Sequence, residues 1–355
     1  MDVLEKTLAA IVSPDEMAAE EAGRRLDSLT KPRGSLGYLE DIVRRYAAIR
    51  RDPTARMGGG ACCVFVADHG VTEEGVSAYP QAVTVEMLRN IAGGGAAISV
   101  LAQRLGYRLW IADLGVVTGS SADALPGVLY RRIGAGTRNL AHEAAMSVAQ
   151  VRAALEIGVD VARCAVAGGA TLIGIGEMGI GNSTSAAALL AAFTRVRPAR
   201  LAGRGTGMDD AGLQRKVAVI DRALKLHRAA LTDPLATLAA LGGFEIAAMA
   251  GVCLGGAALN VPVVVDGFIA TAAAVSAERL SPGLSAHLFF GHRSSEGGHA
   301  IALDKLGVRP ILDLGMRLGE GTGAALAMSV VESALALFHQ MATFESAGVS
   351  EKLDG

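Results

Sequence analysis

The chain has 355 residues, of which 51% are hydrophobic, 19% charged and only 4% aromatic, with 45 glycines. Its net charge of -2 and pI near 6.4 provide no basic field for nucleic acid and no polybasic patch for a membrane surface. The length suits one large or two ordinary domains, and the cysteines (Cys62, Cys63, Cys164, Cys253) form no C-x-x-C pair, which argues against a disulfide framework and a zinc pattern.

The N-terminal part, through roughly Arg51, reads as helices: VLEKTLAAIV, EMAAEEAGRRLDSL and GYLEDIVRRYAAIRR. The turn LTKPRGSLG, with Pro32 and two glycines, separates the last two. The charged start lacks an apolar secretory run, so a reduced, cytoplasmic enzyme is expected. The link RDPTARMGGG then leads into a first strong strand, ACCVFVAD. From there one unit recurs, a short β-rich run that ends in a polar or glycine-rich loop, often before a helical stretch. The runs are CCVFVADHG, YRLWIADLG, ATLIGIGEMG, VPVVVDGF, HLFFGHRS and VRPILDLGMRLGEG. Continuous apolar strands of this kind are buried on both faces, which predicts an α/β fold with a parallel sheet flanked by helices. Residues 246–265 carry no charge over a membrane-length span. Asn260 and Pro262 divide that span into an Ala/Gly helix and a short strand, so no membrane crossing is expected.

Asp68, His69, Asp113, Glu177, Asp266, His292, Arg293, Asp313 and Glu320 all fall at or just beyond the C-terminal ends of these runs. Ligands of open α/β sheets bind outside the carboxyl ends of the strands, so a pocket is expected at that edge. Several glycine-rich or histidine-bearing stretches compete for its chemistry. Gly174-Ile175-Gly176-Glu177-Met178-Gly179 matches the dinucleotide fingerprint, which would suggest a nicotinamide-dependent oxidoreductase. Against that reading, Glu177 would face a pyrophosphate, and the next helix starts late, at a cap from Asn182, Ser183 or Thr184. Gly203-Arg204-Gly205-Thr206-Gly207, with Lys216 beyond it, is a plausible phosphate seat without the G-K-[ST] ending of a P-loop. The histidines of ADHG and GHRSSEGGH share no i, i+4 face, so hydrogen bonding to a polar substrate fits them better than a metal. Finally, LGMRLGEGTGAALA places Glu320 among glycines at the start of an apolar helix, whose dipole is expected to favour the ionised carboxylate.

With these stretches in view, the chain resembles the nicotinate-nucleotide–dimethylbenzimidazole phosphoribosyltransferases over nearly its full length. The resemblance rests on LDSLTKPRGSLGYLE, FVADHGVTEEGVSAYPQAVT, GIGEMGIGNSTSAAAL, GRGTGMDD, GGFEIAAMAG, VDGFIATAAA, FFGHRSSEGG and DLGMRLGEGTGAALAM. It implies a Rossmann-like sheet in a large catalytic domain, residues 56–334, with a small helical domain built from 1–55 plus 335–355. It also implies transfer of the 5-phosphoribosyl group of nicotinate mononucleotide to 5,6-dimethylbenzimidazole or a related base. The products are α-ribazole 5′-phosphate and nicotinate, within cobalamin biosynthesis. No metal or redox cofactor is implied, the partners are the two small substrates, and the assembly is a homodimer. By the same resemblance Glu320 is the general base and Glu177 the second catalytic acid. Gly176, Gly203, Arg204, Gly205, Thr206, Lys216, Asp266, Ser294 and Ser295 hold the nucleotide and its phosphate. Tyr79, Pro80, Gln81, Met87 and Leu318 line the base pocket. The rival readings are the oxidoreductase and a non-catalytic nucleotide sensor; Glu320 argues against the sensor, since binding alone needs no base.

Overall fold

A computed structural model describes residues 1–117, 124–205 and 207–350. Three helices open the chain, α1 (Val3–Ala10), α2 (Glu16–Ser28) and α3 (Tyr38–Arg50), and lead into β1 (Gly59–Ala67). Helices α4 (Val83–Ala92) and α5 (Ala97–Leu105) precede β2 (Arg108–Gly115) and β3 (Val128–Tyr130). After α6 (Val148–Ala167) come β4 (Ala170–Met178), α7 (Asn182–Thr194), α8 (Pro198–Leu201), α9 (Asp210–Leu226), α10 (Pro234–Leu241) and α11 (Phe244–Ala258). The rest is β5 (Val263–Val265), α12 (Phe268–Leu280), β6 (Leu288–His292), α13 (His299–Leu306), β7 (Pro310–Leu312), α14 (Thr322–Gln340) and α15 (Phe344–Ala347). The seven strands form one sheet in the order β3-β2-β1-β4-β5-β6-β7, with every pair parallel. All six predicted runs are strands. The short edge strand β3 escaped the sequence reading because three half-buried residues leave no pattern.

The apolar runs are continuous because both faces of the sheet are covered. Along β1 the side chains alternate between two cores. Ala61, Cys63, Phe65 and Ala67 join the core built with α6, α7, α10, α11 and α12, whereas Cys62, Val64 and Val66 join the one built with α3, α4, α5 and α14. Helix α11 is buried along almost its whole length and crosses α6 closely. Gly158 and Gly251 make that crossing possible, since a Cβ at Gly158 would collide with the Ala248 carbonyl and one at Gly251 with the Leu155 carbonyl. Residues 246–265 divide as predicted, with helix to Ala258, a left-handed Asn260 and then β5. Thr322–Gln340 is, among the described residues, the one helix long and apolar enough to cross a membrane. It packs Ala324, Met328, Val331, Leu335 and Phe338 into the second core.

Both chain ends are tied together. Thr30 donates its N–H to the Ala342 carbonyl (2.9 Å), Leu29 and Thr343 form an antiparallel bridge, and Arg25 reaches the Phe338 carbonyl (3.2 Å). In the turn before α3, buried Lys31 pairs with Glu40 at 2.8 Å.

Helix starts fall into different kinds. Asp2, Asp15, Ser147, Asp209 and Asp233 cap α1, α2, α6, α9 and α10 through their side chains. Helices α7, α12 and α14 begin instead at Gly181, Gly267 and Gly321, with no side-chain cap. Their first N–H groups are therefore left for other partners. The expectation that Asn182, Ser183 or Thr184 caps α7 is corrected: the cap is Gly181, and those residues form the first turn.

Candidate active site

β1 and β4 are neighbours at the centre of the sheet, with β2 and β3 to one side and β5, β6 and β7 to the other. At such a reversal the carboxyl ends of the strands leave a crevice. A cleft of about 860 Å³, open mouth included, lies at these ends. Its walls come from 177–183 after β4, 266–270 after β5, His292, Ser294 and Glu296 after β6, and 317–319 after β7. Arg204, Gly205, Met208 and Lys216 close it from the α8–α9 side, with Val76 and Ser77 at the rim.

One part of this cleft is acidic. Glu177 is buried near the end of β4, and its Oε2 accepts from Asn182 Nδ2. Burial, together with the negative charges of Glu245, Asp266 and Glu320, pushes its pKa up to about 8 against the pull of Asn182. Asp266 uses both oxygens on the first turn of α14: Oδ1 accepts from the Ala324 N–H (2.9 Å) and Oδ2 from the Gly321 N–H (3.3 Å). His292 Nε2 stands 3.8 Å from Asp266 Oδ1. Burial raises the pKa of Asp266, while His292 and the helix N–H groups oppose the rise.

Glu320 lies just behind the lining, one residue past Gly319, in a left-handed conformation (φ 64°). It is buried, and its Oε2 has no hydrogen-bond partner among the described residues. Contrary to the expectation from the α14 dipole, Glu320 is not biased toward its ionised form. Burial raises its pKa, and Asp266 adds to the rise; the opposing donor is the Ile98 N–H in the first turn of α5, not α14. Desolvation outweighs the helix end.

Another part is suited to an anion. The uncapped first turns of α7 and α12 both reach the lining. Beside the first turn of α7 sits Lys216, almost fully buried on α9, whose Nζ donates to Ser183 Oγ (2.8 Å) and the Gly203 carbonyl (3.3 Å). Burial lowers its pKa to about 8, and Glu296 opposes this. Glu296 Oε1 also accepts from the Gly205 N–H (2.9 Å), which ties down the loop before α9. The sequence reading found this loop and Lys216 but missed the first turns of α7 and α12. Their signal was present in GIGNST and DGFIA, glycines where a capping side chain would normally stand.

The cleft thus brings together Glu177, Arg204, Gly205, Lys216, Asp266, Ser294 and Leu318 from the predicted set. Arg204 is engaged elsewhere, in an ion pair with Asp210 and a bond to the Met208 carbonyl (3.0 Å). Ser294 donates its N–H to His299 Nδ1 and accepts from the Glu296 N–H. Ser295 faces a neighbouring hollow beside Arg293 and Asp313. Gly176 and Gly203 lie behind the lining: a Cβ at Gly176 would collide with Gly321, and one at Gly203 with Glu296. Thr206 lies outside the described residues. Of the base segment, Leu318 (59% exposed) lines the cleft, while Tyr79 and Pro80 are exposed away from the lining. Gln81 donates to the His69 carbonyl (3.4 Å), and Met87 packs on the second core.

The fingerprint glycines serve packing. Gly174 and Gly176 lie inside β4, where a Cβ would strike Met328 and the 320–321 backbone of the α14 approach. No loop is left there to cradle a pyrophosphate, so the oxidoreductase reading loses its motif. The histidines bond to protein groups: His69 to Ser185 and Glu245, His299 to Thr271 and the Ser294 N–H. Among the described residues no three His, Cys, Asp or Glu side chains converge as a metal site.

Comparison with known proteins fits this geometry. A family described as phosphoribosyltransferase (DBI_PRT) matches residues 11–349. The chain is 48% identical over 353 residues to the nicotinate-nucleotide–dimethylbenzimidazole phosphoribosyltransferase of Chloroflexus aurantiacus, covering 99% of this chain and 100% of the relative. It is 46% identical over 350 residues to the enzyme of the same name from Geobacter sp. strain M21, covering 99% of this chain and 100% of that one. The crystal structure of CobT from Thermus thermophilus superposes with a TM-score of 0.89 at 45% identity, covering 95% of this chain and 100% of that one. The chain is therefore an enzyme of the nicotinate-nucleotide–dimethylbenzimidazole phosphoribosyltransferase family, a pentosyltransferase built on a parallel α/β sheet.

Proposed function

We propose that the cleft binds nicotinate mononucleotide and transfers its 5-phosphoribosyl group to 5,6-dimethylbenzimidazole or a related base, as a step of cobalamin synthesis. One observation carries the reading: a buried lysine bonded to the uncapped start of α7 lines the same cleft as the uncapped start of α12 and buried carboxylates. That charge layout complements a donor with a phosphate at one end and a cationic pyridinium ribose at the other. Lys216 and the first turns of α7 and α12 hold the phosphate. Arg204 and Ser294 line the same cleft, and Gly205 offers its loop.

The neutral base attacks the anomeric carbon with a ring nitrogen as the bond to nicotinate breaks. The bonding pair returns to the pyridine nitrogen and cancels its positive charge, so the leaving group needs no proton. The ribose inverts from β to α. The new benzimidazole carries a positive charge until its other N–H gives up a proton, and Glu320 takes it as general base. Glu177 offsets the positive charge that develops on the ribose. Leu318 and the rim residues Val76 and Ser77 shelter the flat base.

Glu320→Gln keeps the shape and removes the base. Turnover should fall by about 10²–10⁴ with mononucleotide binding retained, as measured by steady-state kinetics and calorimetry. Turnover near wild type would reduce Glu320 to a buried residue at a helix end.

A further inference from the structure

Two stretches take no part in that chemistry, ADHG and GGFEIAAMAG, yet the fold joins them directly behind the cleft. His69, just after β1, and Glu245, in the first turn of α11, are both 0% exposed. His69 Nε2 lies 2.6 Å from Glu245 Oε1, and Nδ1 lies 3.1 Å from Ser185 Oγ in the first turn of α7. One proton bridges the nitrogen and the carboxylate at that distance, whichever atom holds it.

The pair backs the turn that bears Glu177. A Cβ at Gly179 would stand 3.5 Å from Glu245 Oε1, and one at Gly181 would stand 3.4 Å from His69 Cβ. The charge of Glu245 reaches Glu177 itself, as the largest influence on it after burial. The same turn is also held at Ile180, whose N–H donates to Thr84 Oγ1 (3.1 Å). His69 also ties in the base segment, through its carbonyl and Gln81. An apolar pair of similar volume would hold the fold at least as well as a buried ionic one. It could not fix the directions of three hydrogen-bonding side chains from β1, α7 and α11.

We propose that His69 and Glu245, with Ser185, are positioning residues for phosphoribosyl transfer. They lock the 177–182 turn to the first turns of α7 and α11, and so hold Glu177 and the α7 N–H groups in register with the ribose and phosphate of the donor. This rests on the reading of the cleft given above.

The test uses His69→Phe and Glu245→Gln in the full chain. Phe keeps a ring and loses both partners, while Gln keeps one acceptor for the His69 N–H. Folded fraction and thermal midpoint are measured first, then binding of nicotinate mononucleotide, then kcat and KM per folded enzyme. His69→Phe should lower kcat by about 10- to 100-fold and raise KM for the mononucleotide, the scale of a misplacement near 1 Å. Glu245→Gln, which keeps an acceptor for His69, should lose much less. Should His69→Phe not fold, Ser185→Ala removes only the Nδ1 partner; it should lower kcat with its midpoint kept. Folded variants that melt earlier but keep wild-type kcat and KM would make the pair a structural brace and overturn the proposal. Failure of the underlying reading would look different, since the wild-type chain itself would neither bind the mononucleotide nor turn it over.

Discussion

Glu177 and Lys216 are driven toward one another on the pH scale by the same force. Burial lifts the carboxyl to about 8 and draws the ammonium down to about 8. Glu177 must be ionised to offset a developing positive charge, and Lys216 must be protonated to hold a phosphate. The first fraction grows as pH rises through 8, while the second shrinks over the same range. The profile of kcat/KM for the mononucleotide should therefore be a narrow bell peaking near pH 8. Glu177→Gln should abolish the acid limb of whatever activity remains; an unaltered limb would assign that titration to another group. The raised pKa also bears on stability. Folding favours the neutral carboxyl, so this contribution is complete below about 4.5 and is lost as pH rises through about 8. At this scale the sequence was partly legible. Glu177, Asp266 and Lys216 stand at strand ends or beyond glycine loops, where the parallel pattern foretells a pocket. The upward shift of Glu320 was not legible, because desolvation depends on what covers a residue. Nor was the His69–Glu245 pair, whose members lie 176 positions apart.

Helices divide by how they start. Those with Asp or Ser caps are closed against further ligands, whereas α7, α12 and α14 open on glycine at the carboxyl edge of the sheet. The uncapped starts of α7 and α12 become the proposed anion seat, and that of α14 is satisfied by Asp266. Packing elsewhere is set by small residues, and the α6–α11 crossing is the clearest case. Gly158→Ala would push a methyl into the Ala248 carbonyl. It should cost about 1–3 kcal/mol, read from chemical denaturation, as overpacked cores do. A change below about 0.5 kcal/mol would mean that the two helices move apart freely. The strands could be read from their apolar runs because both faces are buried; β3 could not, having three residues at an edge. We propose that 1–55 and 335–355 form a small helical unit, supported by the Thr30–Ala342 and Leu29–Thr343 pairings; residues 351–355 lie outside the described part. Limited proteolysis within 51–58 that leaves no cooperatively melting unit from both ends would count against it.

At the scale of the whole molecule, strand order decides where chemistry can occur. The order in which strands are added reverses at β1 and β4, all strands staying parallel, and the ends of those two strands carry Asp68, His69 and Glu177. The chain then returns to the same edge after β5, β6 and β7, bringing Asp266, His292 and Glu320 from far along the sequence. We also propose the homodimer that the resemblance implies. Sedimentation should report twice the 36.2 kDa chain mass, and a monomer at micromolar concentration would contradict it. The central claim is the transfer itself. Incubating the protein with nicotinate mononucleotide and 5,6-dimethylbenzimidazole, and resolving the products by chromatography, tests it most directly. α-Ribazole 5′-phosphate and nicotinate should form in equal amounts. No α-ribazole phosphate at high enzyme concentration, or nicotinate released with free ribose phosphate alone, would contradict it.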